Sequence, residues 1–246
     1  MKISCCSIAY RNHPEMDIVR VAEQIGPLGY DGFEVWGNHL RQSGVDVVKA
    51  LLDKYRWTVP MISPYFDFTA TREAWEDSLR IAQEFIEYAV ALDCPLVRVF
   101  TGHVPSAQAT EAQWRACAEG LQLICDWGAA KGLRFALETH SGQLIDTWPS
   151  VLRLIELTGR DNLKVNYQPG TFGAGNELEA IEHLFPYIVH VHYNNSAPLH
   201  LRTRQNYAES GAPNWIAIVE ALAERGYDGF ISVEHLEEPI ERWAAI

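Results

Sequence analysis

The chain predicts an α/β protein of one domain, a (β/α)8 TIM barrel over residues 1–246. Three observations predict it. Strand-like apolar runs alternate with amphipathic helical runs from end to end, which implies a parallel sheet. The count is eight units in 246 residues, the size of an eightfold closed barrel. The first strand-to-helix segment, IAYRNHPE, has no glycine, whereas an open dinucleotide-binding sheet carries its glycine fingerprint there.

The elements follow in order. KISCCSIA (2–9) is the first strand, and the helical pattern of 17–29 follows it, ended by Pro27. GFEVW (32–36) is the second strand and 45–55 its helix; WTVPMIS (57–63) is the third strand. The longest helix, 72–93, carries an apolar stripe of Trp75, Leu79, Ala82, Phe85, Ile86, Ala89 and Val90. LVRVFT (96–101), LRFALETH (133–140), NLKVNYQ (162–168), YIVHVHY (187–193) and FISVEH (230–235) are strands four to eight. Helical patterns at 111–132, 147–159, 176–185 and 214–226 separate them, with Pro149 tolerated in a first turn. The segment 194–212 is long for a βα connection, and only EEPIERWAAI follows strand eight, so the final helix is short or truncated. The pentapeptide GYDGF occurs at 29–33 and 226–230, each time between a helix and a strand. Gly29 and Gly226 stand where a left-handed C-cap is needed, so the repeat is a structural connector on the N-terminal face.

Composition narrows the partners. A net charge of −12 and a pI near 5.2 argue against binding a phosphate backbone and fit a small-molecule substrate. No apolar run approaches the ~18 residues of a membrane span, and MKISCCSIAY reads as a strand rather than a secretion signal. Five cysteines, an odd number without a CxxC, argue against a disulfide framework or thiolate zinc site. The expected setting is the cytoplasm, with no nucleic-acid or membrane partner; a homo-oligomer is compatible with the sequence.

In such barrels the chemistry gathers where strands end, on the C-terminal face. Strand two offers Glu34 and strand four Arg98; strand five ends with Glu138 and His140, strand six with Asn166 and Gln168, strand seven with His190 and His192, strand eight with Glu234. Alternation along a strand sends Glu138 with His140, Asn166 with Gln168 and His190 with His192 to the same side. Arg98 neutralises these carboxylates or contacts substrate. Four consecutive strands thus end in oxygen or imidazole donors, which suits a divalent metal ion such as Mn2+, Mg2+, Co2+ or Zn2+.

The stretches YDGFEVWGNH, RVFTG, LETHSGQLIDT, NLKVNYQPG, HVHYNN and GYDGFISVEH, spread over 30–235, resemble the xylose-isomerase-like TIM-barrel superfamily, in its sugar phosphate isomerase/epimerase branch. That branch includes ketose 3-epimerases, hydroxypyruvate isomerase, inosose dehydratase, 3-dehydroshikimate dehydratase and AP endonucleases. The resemblance implies metal ligands at Glu138, Gln168, His192 and Glu234, with Glu138 and Glu234 also catalytic. Glu34, His140, Arg98, Asn166, His190 and Arg204 are candidates for contact with substrate or for support of the ligands. Gln168 stands where the branch usually has Asp, Thr171 where the epimerases have His, and Pro198 where they have a substrate-gripping Arg. The Asp-x-His of the AP endonucleases is absent after strand seven.

The implied activity is a metal-dependent isomerase or epimerase of a keto sugar or related polyol, with carboxylates moving a proton next to a carbonyl through a metal-stabilised enediolate. The alternatives are a dehydratase (lyase) acting on a keto-inositol or keto-sugar with the same site, and a non-catalytic sugar-binding barrel whose metal site has degraded at Gln168.

Overall fold

In the computed structural model, which describes residues 1–172, 176–195 and 213–236, eight parallel strands close into a barrel in sequence order. The strands are β1 (Lys2–Cys6), β2 (Gly32–Trp36), β3 (Ile62–Ser63), β4 (Leu96–Val99), β5 (Arg134–Glu138), β6 (Leu163–Tyr167), β7 (Ile188–Asn195) and β8 (Phe230–Leu236). β8 pairs back onto β1, with Ser232 beside Ser4, and completes the ring. The helices are α1 (Ile18–Ile25), α2 (Gly37–Ser43), α3 (Val45–Tyr55), α4 (Arg72–Ala91), α5 (Glu111–Ala129), α6 (Trp148–Thr158), α7 (Glu177–Leu184) and α8 (Trp215–Glu224). The chain forms a single TIM-barrel domain, as its alternating pattern predicts. The proposed truncated helix after strand eight lies outside the described residues.

The helices begin where their caps place them. Thr71 caps α4, Thr110 and Thr147 build capping boxes for α5 and α6, and Pro149 sits in the first turn of α6. Gly29 and Gly226 have φ of 77° and 79°, the left-handed conformation that lets both copies of GYDGF leave a helical segment for a strand. The α4 stripe is buried through Trp75, Ala82, Phe85, Ile86 and Ala89, but Val90 is 41 % exposed. It stands one residue, about 100° of rotation, beyond Ala89 on the helix.

Several strands are shorter than their apolar runs. The first ends at Cys6, because Ser7–Tyr10 turn into a 3-10 helix and Ser7 Oγ accepts the Trp36 N–H. The third reduces to Ile62–Ser63: Pro60 has no N–H to give, so 57–61 runs beside β2 with only scattered bonds, from Phe33 N to Thr58 O and from Val35 N to Met61 O. The sequence reading has no counterpart of α2, which turns directly off β2.

The parity of the strands divides the barrel. Phe33, Val35, Val97, Val99, Phe135, Leu137, Val165 and Tyr167 face the helices in one large apolar core. Inside the barrel, Met61, Leu96 and Ala136 form a small apolar floor. One pleat further along the strands the interior becomes polar, and all of the polar side chains that matter below stand on that upper layer.

Candidate active site

Strand register brings the layer together. Arg98 pairs with Ala136, Glu138 with Asn166, and Asn166 with His190, so their side chains enter the barrel at successive positions around it. Glu34, Ser63, Arg98, Glu138, Asn166, His190, His192 and Glu234 are all buried. So much polar surface inside a barrel is costly unless each group is paired, and the pairing is dense.

Glu34 is the hub of one half. Its Oε1 accepts from Ser63 Oγ at 2.6 Å and faces His192 Nε2 at 3.0 Å; its Oε2 faces His190 Nε2 at 3.0 Å. Burial pushes its carboxyl pKa up, but His192 and His190 outweigh burial and hold it well below the usual carboxylate range. An ionised carboxylate only accepts hydrogen bonds, so both Nε2 atoms carry protons. Burial keeps the His190 pKa below that of a free histidine.

Glu138 and Glu234 make the other half. Arg98 Nη1 lies 3.2 Å from Glu138 Oε2 and 3.9 Å from Glu234 Oε1. The rest of the guanidinium is fixed by the Pro64 carbonyl, with Nη2 at 3.0 Å, and lies over the rings of Tyr65 and Phe100 at 4.6 and 4.3 Å. Burial opposes the charge of Arg98, but Glu138, Tyr65 and Glu234 outweigh it and raise its pKa further. Asn166 Nδ2 donates to Glu138 Oε2 at 3.3 Å.

His192 joins the halves. Its Nδ1 comes within 3.3 Å of Glu138 Oε2 and 3.4 Å of Glu234 Oε2, at ion-pair distance but without a hydrogen bond of good geometry. Burial disfavours a charged ring, yet Glu34, Glu234 and Glu138 outweigh it and hold the pKa well above the ordinary value. The end of the Gln168 carboxamide completes the cluster. The atom that faces the carboxylates lies 3.0 Å from Glu234 Oε2 and 3.2 Å from Glu138 Oε1. Facing carboxylates alone it must be the nitrogen; facing a shared cation it must be the oxygen. The Gln168 backbone is pinned by Thr139, whose Oγ1 accepts its N–H at 2.8 Å, and by Thr171, whose Oγ1 donates to its carbonyl at 2.9 Å.

The donor set fits a divalent cation. One ligand atom each from Glu138, His192 and Glu234 falls within 4.8 Å of the others, and the same holds for Glu34, His190 and His192. Glu138 and Glu234 share one buried guanidinium, so negative charge is left over beside His192 Nδ1 for a cation to meet. Oxygen and imidazole donors suit Mn2+, Mg2+, Co2+ or Zn2+ alike.

The structure therefore brings together Glu34, Arg98, Glu138, Asn166, Gln168, His190, His192 and Glu234. His140 stands at the rim, half-buried, edge-on to Phe100 with ring centroids 5.3 Å apart. Its Nδ1 lies 2.7 Å from the Ser141 carbonyl, which makes Nδ1 the protonated nitrogen and leaves Nε2 as an acceptor in the neutral ring. Arg204, and the 194–212 connection beyond Asn195, lie outside the described residues. The candidate set drawn from the sequence omits Ser63 and the Tyr65–Phe100 pair around Arg98. Ser63 and Tyr65 stand at the end of the third strand, and that position was their signal; Phe100 is apolar, and only the folded chain shows that it lies against Arg98. Among the described residues, no helix is long and apolar enough to cross a membrane.

Comparison with known proteins shows what the chain is similar to. The chain is 26 % identical over 228 residues to the 3-dehydroshikimate dehydratase of Bacillus anthracis, covering 86 % of this chain and 79 % of that protein. It is 26 % identical over 205 residues to the 2-oxo-tetronate isomerase of Haemophilus influenzae, covering 76 % of each. The fold of D-psicose 3-epimerase from Clostridium cellulolyticum H10 superposes with a TM-score of 0.79 over 97 % of this chain and 86 % of that one, at 18 % identity. These relatives include both lyases and isomerases. The model of the xylose isomerase-like TIM barrel family matches residues 21–245, and the chain belongs to that family.

Proposed function

We propose that the protein is a divalent-metal-dependent isomerase or epimerase of a keto sugar or related polyol, working by proton transfer at the carbon next to the carbonyl. The observation that carries the reading is the pair Glu138 and Glu234: two buried carboxylates, on strands from different parts of the ring, both beside His192 Nδ1 and both in reach of Arg98. Glu138, Gln168, His192 and Glu234 would hold a divalent ion, which would supply Lewis acidity for the negative charge that develops on the substrate carbonyl.

The protein's own groups handle the proton. One of the two glutamates, ionised, takes a proton from carbon, and the other, protonated at the outset, gives one back. Return to the opposite face of the same carbon inverts a stereocentre; return to the neighbouring carbon, with the hydroxyl proton passing to the former carbonyl oxygen, moves the carbonyl. Arg98 lies near both carboxylates and offsets one negative charge without using a proton of its own, because its guanidinium stays charged. The Tyr65 and Phe100 rings keep water from it, and Asn166 orients Glu138. His140, with Nε2 as an acceptor at the rim, is placed to bind a substrate hydroxyl.

A second reading, a dehydratase, is supported by the similarity to 3-dehydroshikimate dehydratase. After the same proton abstraction, a hydroxyl one carbon further leaves as water, with its proton supplied by the second glutamate. Incubating metal-loaded protein with a panel of ketoses and keto-polyols in deuterated water tests both. Deuterium appearing next to the carbonyl is expected, with loss of water in mass spectra marking the dehydratase. No exchange with any member of the panel, in protein shown to hold its metal, counts against the reading.

A further inference from the structure

Two overlapping trios of potential ligands share His192: Glu138–His192–Glu234 and Glu34–His190–His192. The metal reading above uses the first; we infer that Glu34, held by Ser63, is a carboxylate clamp that makes His192 bind through Nδ1 and keeps His190 out of the coordination sphere. This rests on the metal-dependent reading above and deepens it.

The distances separate the two trios by function. Glu34 has its oxygens 3.0–3.1 Å from the two Nε2 atoms and 2.6 Å from Ser63 Oγ. Those are hydrogen-bond lengths, and among the described residues the partners Ser63, His190 and His192 each offer the carboxylate a donor. A cation there would have to expel two N–H protons and the serine hydroxyl together. At the other trio the situation is reversed. His192 Nδ1 is a buried nitrogen with no hydrogen bond, and it points between two carboxylates that have only acceptors to offer. A carboxylate that holds the far nitrogen of a metal-binding imidazole fixes both its tautomer and its rotation. Glu34 does this for His192 and, with its second oxygen, does the same for His190, whose Nδ1 has no hydrogen bond among the described residues. The His-x-His pair of β7 is thus one ligand and one strut: His190 helps to hold the carboxylate that orients His192. Ser63 fixes Oε1, so Glu34 cannot swing toward the ion and become a ligand itself.

The test reads ring nitrogens directly. In long-range proton–nitrogen spectra of 15N-labelled protein loaded with Zn2+, His192 is expected to show a ligated Nδ1 and a protonated Nε2. His190 is expected to keep its Nε2–H and a bare Nδ1 with and without zinc. Calorimetric titration of the stripped protein should give one tight Zn2+ per chain. Glu34→Gln should weaken that binding about 10- to 100-fold, the usual effect of losing such a partner. Ser63→Ala, which removes one small hydroxyl, should weaken it in the same direction and by less, and serves if Glu34→Gln does not fold. A role confined to packing would lower stability without moving either the tautomers or the affinity. Zinc on Nε2 of His192, a His190 ring that shifts on zinc binding, two tight equivalents, or unchanged affinity in Ser63→Ala would each overturn the clamp. The proposed reaction fails separately: protein that binds one zinc through His192 Nδ1 but exchanges no deuterium loses the reaction and keeps the clamp.

Discussion

At the scale of single residues, function rests on where charge is left over. Glu138 and Glu234 are isolated from water, and Arg98 can neutralise only one of them. Glu→Gln at either position preserves shape and removes the base. Turnover is expected to fall by roughly 10² or more in each variant, with little change in circular dichroism. Near-normal turnover of either variant would show that the two carboxylates do not share the proton. Gln168 offers a finer test. It reaches both carboxylates and contributes no charge. Gln168→Asp adds a third anion around the ion, so metal affinity should rise about tenfold, ~1.4 kcal/mol, and Gln168→Ala should lower it. The same change weakens Lewis acidity, because more ligand charge offsets the cation. Metal titration of chelator-stripped protein measures this; three equal affinities would take Gln168 out of the coordination sphere.

At the scale of elements, α2 contributes a pH dependence that the rest of the fold does not require. His39 is buried on α2, edge-on to Trp36 with centroids 5.1 Å apart, and burial lowers its pKa below the ordinary value. A histidine depressed in this way binds its proton more readily in the unfolded chain than in the native one. Its contribution to stability is therefore present above the unfolded value of about 6.5 and is lost as pH falls below it. His39→Asn should flatten the fall in the denaturant midpoint between pH 7 and pH 5 relative to wild type. An identical fall in both proteins would place the acid sensitivity elsewhere. The sequence did not predict α2, because GNHLRQS has a glycine at its start and no apolar period, and its helicity comes from packing of Leu40 and His39. By contrast the long helices and the strand order were legible, since each carries its own period and cap. The upper polar layer was partly legible too: parity along each strand put Asn166 with Gln168 and His190 with His192. What parity could not give was which atom faces which. Glu34 looked like one more strand-end carboxylate, and its hold on both histidines depends on β2 lying across the barrel from β7, a contact between residues far apart in the chain.

At the scale of the whole molecule, closing the barrel forces three carboxylates into one dry space, and folding must find counter-charges for them. Arg98 supplies one, and without a cation the carboxylates of Glu34, Glu234 and Glu138 favour a proton on His192. A divalent ion held by Glu138, Gln168, His192 and Glu234 would meet the same need and would link the ends of the neighbouring strands β5, β6, β7 and β8. Any ligand that binds only the native state stabilises it by mass action, by about 2.7 kcal/mol at a free concentration of 100 Kd. For a domain of this size, each kcal/mol corresponds to about 2–4 °C in Tm. Adding the preferred ion at that excess to stripped protein should therefore raise Tm by about 5–10 °C, and the shift should keep growing with the logarithm of metal concentration. Glu138→Gln removes a ligand and one of the stranded charges together. Its metal-free form should melt no lower than metal-free wild type by more than a few degrees, and its response to metal should be much smaller. Thermal melts of both proteins across Mn2+, Mg2+, Co2+ and Zn2+ decide the point. A Tm in wild type that is indifferent to all four ions would mean that the buried charge is balanced by protons alone, and that the strand ends do not form a metal centre.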